Sequence, residues 1–333
     1  MLAGSVSHRM FAFIVSRILQ AIPVLLIVGF ISFAMFAFVG DPITIMLGQD
    51  YTEAQRQALV QQLGLDQPFF VQYAHFVAQA LQGNFGISYR LARPVGQLIA
   101  ERLPATVELA LTAAVLSLVI GIPMGVFTGI RRNALLSRAF MMFSLLGVSL
   151  PTFLIGILLI LLFAVQLGWL PSFGRGDVVH FSHWSTGFLT HSGRVALIMP
   201  AITLGLFQMT LILRLVRSEM LEVMRSDYIK FARARGLSQR SIHFRHALGN
   251  TLVPVITIVG LQLGMLIGFS IITETVFQWP GMGLLLVQSI GSADIPVMSA
   301  YLLLIAVVFV TINLIVDLLY FAVDPRLRGN LGR

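Results

Sequence analysis

The 333-residue sequence contains no cysteine and only one lysine, Lys230. Without cysteine, the chain can form neither a disulfide framework nor a thiolate metal site. Since Lys230 follows Asp-Tyr-Ile, the chain also lacks the Gly-x-x-x-x-Gly-Lys-Ser/Thr loop that binds nucleotide phosphates. Charged residues are scarce, at 11 % of the chain. These absences exclude a P-loop ATPase domain, and the sequence predicts no enzymatic activity, no cofactor and no metal site.

Apolar residues are abundant instead, at 57 % of the chain. Several runs exceed the roughly 18–20 residues that cross a bilayer, so the sequence predicts an all-α integral membrane protein. The run Ile18–Val39 is longer than a signal-peptide core of about 7–15 residues and predicts an uncleaved first span. The six predicted spans cover about 13–39, 105–130, 139–167, 195–213, 252–273 and 298–321.

Basic residues are distributed unevenly between two sets of connecting segments. The rich set comprises the N-terminus, 131–138, 214–250 and the C-terminal tail; the poor set comprises 40–104, 168–194 and 274–297. The positive-inside rule therefore predicts that both termini are cytoplasmic. Because the net charge of +8 follows this topology, nucleic acid is not a predicted partner.

The long segment 40–104 contains helix signals of its own. Thr52 precedes an amphipathic stretch that runs to Leu63, and Gly64 is a typical residue after a helix C-terminus. A second helical stretch is predicted at Phe69–Leu81. The sequence therefore predicts two short helices outside the membrane.

Small and acidic residues occur inside the predicted spans. Gly260, Gly264 and Gly268 recur at intervals of four in the fifth span, which favours close packing of another helix on that face. Glu108 and Asp317 lie near span ends. An intramembrane carboxylate suggests a transport role, but an end position also allows solvation or an arginine partner, so both interpretations stay open.

Three histidines, His180, His183 and His191, lie in one external segment. Three histidines can bind zinc, but this spacing is not diagnostic and a solvated loop is the favoured interpretation.

The basic segment 214–250 predicts a docking site. A helix is predicted from Met220 to Phe231, and small and apolar residues follow it between arginines. An apolar stripe flanked by charge can lie in a groove on a partner protein. Anionic lipid would also attract the arginines, but it does not require a glycine at a fixed place among small residues.

These residues resemble the cytoplasmic coupling motif of type I ABC importer permeases, in the form found in the dipeptide/oligopeptide branch. That branch has Ala-Arg-Ala-x-Gly-Leu and then Arg-His-Ala-Leu-x-Asn-x-Leu-x-Pro, which match 232–237 and 245–254 here. Lys230 and Phe231 stand where the general motif has Glu and Ala. Further matches are Gly40-Asp41-Pro42, Leu63-Gly64-Leu65-Asp66, Gly83-Asn84-Phe85-Gly86, Leu103–Leu109, Glu274-Thr275-Val276-Phe277, Pro280-Gly281-Met282-Gly283 and Asp324-Pro325-Arg326.

The resemblance implies the first permease of a pair, with the type I ABC importer permease fold and a long external segment after the first of six transmembrane helices. It implies three regions: 1–103, 104–321 and a cytoplasmic tail, 322–333. The implied partners are a second homologous permease, two cytoplasmic ABC ATPases, an extracytoplasmic substrate-binding protein and membrane lipid. The implied location is the bacterial cytoplasmic (inner) membrane.

The resemblance also implies two sets of functional residues. Those implied to couple the chain to the ATPases are Lys230, Ala232, Ala234, Gly236, Leu237, Ser238, Arg245 and His246. Those implied at the outer gate or the binding-protein contact are Glu274, Phe277, Pro280 and Gly281.

The implied function is ATP-driven import of di- or oligopeptides or a related small solute. Members of the branch also carry glutathione, nickel complexes, haem or opines, so the substrate stays open. The alternative is a secondary transporter driven by an ion gradient. Such a transporter would show internal repeats and midplane ionisable residues, and neither is evident in the sequence.

Overall fold

The computed structural model describes residues 2–39, 51–182 and 184–323. His183, the Gly40-Asp41-Pro42 and Asp324-Pro325-Arg326 motifs, and the rest of the tail lie outside the described residues. The α-helices are α1 (Leu2–Val39), α2 (Glu53–Leu63), α3 (Phe69–Leu81), α4 (Val95–Ile130), α5 (Leu135–Ser149), α6 (Thr152–Leu159), α7 (His191–Val223), α8 (Asp227–Ala234), α9 (Gln239–Ser241), α10 (Leu248–Val276), α11 (Met282–Gly291) and α12 (Ile295–Val323). Two π-helices cover Ile160–Gln166 and Ile242–Ala247, and β1 (Val179–Phe181) pairs with β2 (Trp184–Thr186).

Four helices, α1, α4, α7 and α12, are each long and apolar enough to cross a membrane. Two bent pairs also qualify when each pair is taken as one span. The first joins α5 to α6 and its π-helix at 110°, and the second is α10, whose two halves meet at 47°. The six spans predicted from hydropathy correspond to these four helices and two bent pairs.

A proline breaks the helix of the third span completely. Leu150 is extended, with φ −98° and ψ 135°, and α6 begins only after Pro151. The cause is steric, since the ring of a proline disfavours the helical conformation of the preceding residue. The two halves therefore leave the break in different directions.

The two predicted helices of segment 40–104 are confirmed as α2 and α3. At the start of α2, the Gln55 amide donates to the Thr52 hydroxyl at 3.3 Å, and the Thr52 amide donates to the Gln55 side chain at 2.9 Å. This reciprocal capping box satisfies two amides that a helix N-terminus leaves free. Gly64, at φ +66°, ends the helix in the left-handed conformation that glycine adopts readily.

The described residues divide into two compact units. The first unit comprises Met1–Thr106, His180–Ser185 and Pro280–Val310; the second comprises Val107–Val179, Thr186–Trp279 and Thr311–Arg333. The first unit contains a polar connection between the loop before α4 and the turn before α12. There the buried Asp294 carboxylate accepts hydrogen bonds from the Ser88 hydroxyl and, at 3.1 Å, from the Tyr89 amide.

The second unit has a buried core to which α4, α7, α8, α10 and the second π-helix contribute. Its members are Val126, Ile212, Val216, Met220, Ile229, Ala232, Ile242, Ala247, Val255 and Val259.

A glycine seam brings α4 close to α7 in this core. Gly121, Gly125 and Gly129 recur at intervals of four along α4 and face α7. A Cβ atom added at Gly125 would lie 2.6 Å from the Cβ of Val216, and one at Gly129 would lie 2.7 Å from the Cβ of Met220. Only residues without a side chain let two helix backbones approach this closely. The seam was not predicted, although the same spacing is visible in the sequence.

Replacing Gly125 by alanine is expected to destabilise the second unit by about 1–3 kcal/mol, since overpacking forces backbone shifts. The measurement is the melting temperature of the purified chain in detergent. Gly268→Ala is the matched control, because no atom of the described residues lies within 4 Å of an added Cβ there. Equal melting temperatures for the two variants would contradict the packing role of the seam.

Candidate functional site

The helix α8 is fixed to the second unit by one face. Ile229 and Ala232, three residues apart and therefore on the same side of the helix, are buried in the core with Val216 and Met220 of α7. The neighbouring Phe231 is 63 % exposed. The α8 helix is thus anchored on one side and open on the other.

The predicted helix Met220–Phe231 is wrong in one respect, because the chain turns in its middle. The α7 helix ends at Val223, and Ser226 is extended at the start of α8. The Ser226 hydroxyl donates to the Val223 carbonyl at 2.7 Å, and the Ser226 carbonyl accepts from the Ile229 amide at 3.1 Å. This turn makes α8 a separate short helix that emerges from the end of a membrane-spanning one.

Gly236 closes the C-terminal end of α8 in a left-handed conformation. Its φ is +74°. The Gly236 amide donates to the Arg233 carbonyl at 2.9 Å, and the Leu237 amide donates to the Ala232 carbonyl at 3.3 Å. Ser238 then caps α9 by accepting from the Ser241 amide at 3.3 Å. Among the residues that the structure describes, no atom lies within 4 Å of a Cβ added at Gly236. The turn therefore needs glycine for its backbone conformation, while the space around it is open.

His246 lies on the second π-helix and connects it to α8. Its Nδ1 atom is 2.6 Å from the Tyr228 hydroxyl, and the two rings are 5.7 Å apart in an edge-on arrangement. The side chains of Ile242 and Ala247 on the same π-helix are buried in the core. The π-helix is thus held both through the core and through the start of α8.

The open side of this region is apolar and basic. Four large side chains are exposed, and we call them the docking surface: Tyr228, Phe231, Leu237 and Phe244. The guanidinium group of Arg235 lies 5.7 Å from the centre of the Phe231 ring, a cation–π distance. The other exposed basic residues nearby are Lys230, Arg233, Arg240 and Arg245. Exposed aromatic residues among cations are suited to a protein partner with apolar pockets and acidic residues.

Beside the docking surface lies an open, basic cleft of about 460 Å³. Arg132, Arg225, Arg233 and His243 line it. Burial, and then the charge of Arg233, lower the pKa of His243. The cleft adds positive potential next to the docking surface.

Charge on α8 itself is partly paired. Lys230 donates to Asp227 at 2.8 Å, and this hydrogen bond lowers the pKa of the Asp227 carboxyl. Both side chains are exposed, so the pair contributes little to stability.

The eight residues that the resemblance assigned to coupling fall within one stretch, but they differ in exposure. Lys230, Ala234, Gly236, Leu237, Ser238 and Arg245 are exposed, His246 is half-buried and Ala232 is buried. Ala232 therefore anchors α8 and does not form part of its outer surface. Tyr228 and Phe244 were not predicted as surface residues, nor was Ile229 predicted as an anchor. Their apolar spacing around Ala232 was the available signal.

Glu108 has the arginine partner that its position near a span end allowed. Its Oε2 atom accepts from Arg175 Nε at 2.9 Å. Its Oε1 atom accepts from the Thr186 hydroxyl at 3.0 Å and from the Gly187 and Phe188 amides at 2.9 and 3.2 Å. The Glu108 and Arg175 side chains are 3 % and 6 % exposed. Glu108 thus connects α4 to the segment before α7.

The residues assigned to the outer gate are mostly buried. Glu274 and Phe277 lie inside the second unit, where the Glu274 carboxylate accepts from the Ser270 hydroxyl at 3.1 Å. Gly281 is buried and Pro280 half-buried in the first unit. In this structure neither Glu274 nor Phe277 is open to a docked protein. A role in closing the gate stays a prediction.

The three glycines of α10 do not pack alike. A Cβ added at Gly260 would lie 2.4 Å from Val316 on α12, whereas one at Gly268 would have no atom of the described part of the chain within 4 Å. Gly264 is half-buried. The predicted packing contact is thus observed at Gly260 but not at Gly268, which faces away from the other described residues.

The remaining candidates lie elsewhere. The described residues contain no cluster of three metal-ligating side chains, and His183 is not among them. Asp317 is half-buried in α12.

Family models match nearly the whole chain. The model described as "Binding-protein-dependent transport system inner membrane component" matches residues 121–329. The N-terminal model of the same kind of membrane component matches residues 10–110.

Curated relatives and solved structures agree with these matches. The glutathione transport system permease protein GsiC of Salmonella choleraesuis is 39 % identical over 321 residues, which cover 96 % of this chain and 99 % of the relative. The di/tripeptide transport system permease protein DppB of Pseudomonas aeruginosa is 38 % identical, with the same coverage. The inward-facing MetNI methionine ABC transporter contains a chain of similar fold, with a TM-score of 0.55 and 22 % identity over 68 % of this chain and 96 % of that one.

Proposed function

The chain belongs to the binding-protein-dependent transport system inner membrane component family, and we propose that its substrates are di- or oligopeptides or a small peptide-like solute. Family membership makes it a membrane permease subunit of an ABC importer, with the type I permease fold and no enzymatic role of its own. Peptide-like cargo is supported by the relatives, which are named for glutathione and for di/tripeptides. ABC ATPases and a binding protein are partners of such a permease in general.

An ATPase is proposed to bind at the docking surface. Phe231, Leu237 and Phe244 are exposed beside a helix that the core holds firmly. An anchored helix can transmit a displacement from a bound partner to α7 and α10. ATP can shift the equilibrium between two conformations of the permease only if the ATPase binds one of these conformations more tightly than the other. The proposed complex has two ATPases and a second, homologous permease.

The proposed orientation has both termini in the cytoplasm of a bacterium. The excess of arginine in 131–138 and 214–250 supports it, because basic loops remain on the cytoplasmic side. Under this orientation the docking surface faces the ATPases, and segment 40–104 faces the binding protein. The proposed regions are 1–103, 104–321 and a tail at 322–333, and Glu274, Phe277, Pro280 and Gly281 are proposed to form part of the outer gate.

Purification of the tagged chain from its native membrane in mild detergent tests the proposed complex. We expect mass spectrometry to identify a second six-span protein and P-loop ATPases. Recovery of the chain alone, under conditions that preserve other membrane complexes, would contradict the proposed assembly. Uptake that survives ATP depletion but collapses with an uncoupler would instead favour a transporter driven by an ion gradient.

A further inference from the structure

The α3 helix belongs to a segment without charge. From Gln67 to Tyr89 the sequence contains no Asp, Glu, Lys or Arg. Within it, α3 has 13 residues, Phe69–Leu81, and is therefore about 20 Å long. An apolar helix of this length is too short to span a bilayer but suits an interfacial position.

One face of α3 packs on the membrane-spanning α1. The Phe69 ring lies 5.2 Å from Phe33 and 5.7 Å from Phe30, and the Phe76 ring lies 5.5 Å from Phe33. Tyr73 also contacts both α1 rings, at 5.5 Å from Phe30 and 5.8 Å from Phe33. Offset and edge-on aromatic pairs of this kind are favourable in themselves. The α3 helix is thus held against α1 at the level of residues 30–33.

The Tyr73 hydroxyl gives the depth of this contact. It donates to the Leu26 carbonyl at 2.7 Å, and Leu26 lies within the span Ile14–Ala34. A Cβ added at Gly29 would lie 3.6 Å from the same hydroxyl and 3.4 Å from Leu303, on the span of α12. Leu303 is eight residues from the start of α12, or about 12 Å along the axis. The Tyr73 hydroxyl therefore lies beside the apolar, membrane-spanning parts of both α1 and α12.

The position of Phe33 along α1 indicates how deep α3 lies. This residue precedes Val39, the last residue of α1, by six positions, or about 9 Å. Interfacial helices bury their apolar face about 5–10 Å into the boundary between headgroups and acyl chains. The packing of α3 on α1 thus corresponds to that depth.

The side of α3 that faces away from α1 is exposed and mostly apolar, with His75 and Gln79 as its exposed polar residues. Phe70 is 73 % exposed, Leu81 is 84 % exposed and Val71 is also exposed. Ala74 and Ala78 are exposed with them. Apart from His75, this side of the helix offers no ionisable group to a protein partner that delivers soluble cargo, whereas acyl chains need none.

We propose that α3 is an interfacial helix whose Phe70 and Leu81 side chains lie among the acyl chains of the leaflet where α1 ends at Val39. This proposal goes beyond the proposed function and does not depend on it. Segment 40–104 is then anchored in the membrane by α3 and exposes α2 to water. The lipid contact would hold the segment close to the membrane surface.

Because the chain has no cysteine, a single introduced cysteine is its sole labelling site, and the complex with the unmodified chain measures the label taken up by the other subunits. Phe70→Cys and Leu81→Cys are labelled with bimane in the complex that co-purifies with the chain, and the complex is reconstituted in phosphatidylcholine vesicles. One vesicle set contains a lipid with a nitroxide near the top of its acyl chain, and the other receives iodide in the buffer. We expect both labels to lose most of their fluorescence with the nitroxide lipid and little with iodide.

Two control positions calibrate the measurement. Ala58→Cys, exposed on the polar helix α2, should be quenched by iodide, and Leu19→Cys, exposed on α1, should be quenched by the nitroxide lipid. Quenching of the Phe70 and Leu81 labels by iodide to the extent seen at Ala58 would overturn the proposal. Protection of both labels from both quenchers would overturn it too, since a protein would then cover α3.

Discussion

Replacement of Glu108 by alanine is expected to cost about 3–5 kcal/mol of stability, because it removes the carboxylate that pairs with a buried charge. Arg175 is the charge left behind, and it lies 5.9 Å from the ring centre of the buried Trp279. The change also removes the acceptor for the amides of Gly187 and Phe188. The expected result is a large drop in melting temperature and faster proteolysis in 168–190. Both are measured on the purified chain in detergent.

An exposed ion pair provides the matched control. Arg93 and Glu101 also form a salt bridge, but their side chains are 46 % and 53 % exposed. Glu101→Ala should cost no more than about 1 kcal/mol, as for surface pairs in general. Equal melting temperatures for Glu108→Ala and Glu101→Ala would contradict the conclusion that burial makes the Glu108 contact important for stability.

A double replacement separates charge from hydrogen bonding at this position. Glu108→Gln keeps an oxygen that can accept from the Gly187 and Phe188 amides, but it leaves Arg175 unneutralised. Adding Arg175→Met removes that charge and keeps a long apolar side chain. The double variant should therefore be more stable than Glu108→Gln alone, since replacing both partners of a buried pair is far less costly than removing one.

The contrast between α2 and this ion pair explains what sequence alone can predict. The cap of α2 involves Thr52 and Gln55, three residues apart, and local spacing is sufficient to recognise it. Glu108 and Arg175 are 67 positions apart, and either residue alone is compatible with several environments. The choice between a solvated end, an ion pair and a transport role requires the folded chain.

Glycine spacing shows the same limit within a helix. Two sets at intervals of four are present, in α4 and in α10. Gly125 and Gly129 of the first set lie in a tight contact, whereas Gly268 of the second faces open space. Periodicity identifies residues that share a face, but it contains no information about which face meets another helix.

Composition predicted a candidate site around Gly236, and its role stays a prediction; composition did not predict which of its side chains are exposed. Alternation of small and basic residues marked the stretch around Gly236, and the helix there is real. Ala232 faces the core and Phe231 faces solvent, however, because the side of α8 that packs on α7 is determined by the turn at Ser226. That turn depends on local hydrogen bonds that the apolar run through Met220 and Leu221 does not reveal.

Gly236→Trp is expected to abolish ATP-driven uptake and the recovery of ATPase subunits, while the chain still inserts in the membrane. The added side chain has open space around it, so it should extend from the turn next to Leu237 and obstruct the docking surface. A second effect acts on the backbone, because φ at Gly236 is +74° and non-glycine residues pay about 1–2 kcal/mol there. The measurements are co-purification of the ATPases and uptake of a labelled dipeptide into cells.

Gly236→Asn distinguishes obstruction from strain. Asparagine tolerates the left-handed conformation at the end of a helix and adds little bulk. If docking requires an open surface, the asparagine variant should recover ATPases and transport nearly as well as the unmodified chain. Equal failure of both variants would assign the requirement to the turn and not to the surface. ATPase recovery and uptake at normal levels in the tryptophan variant would remove this surface from coupling altogether.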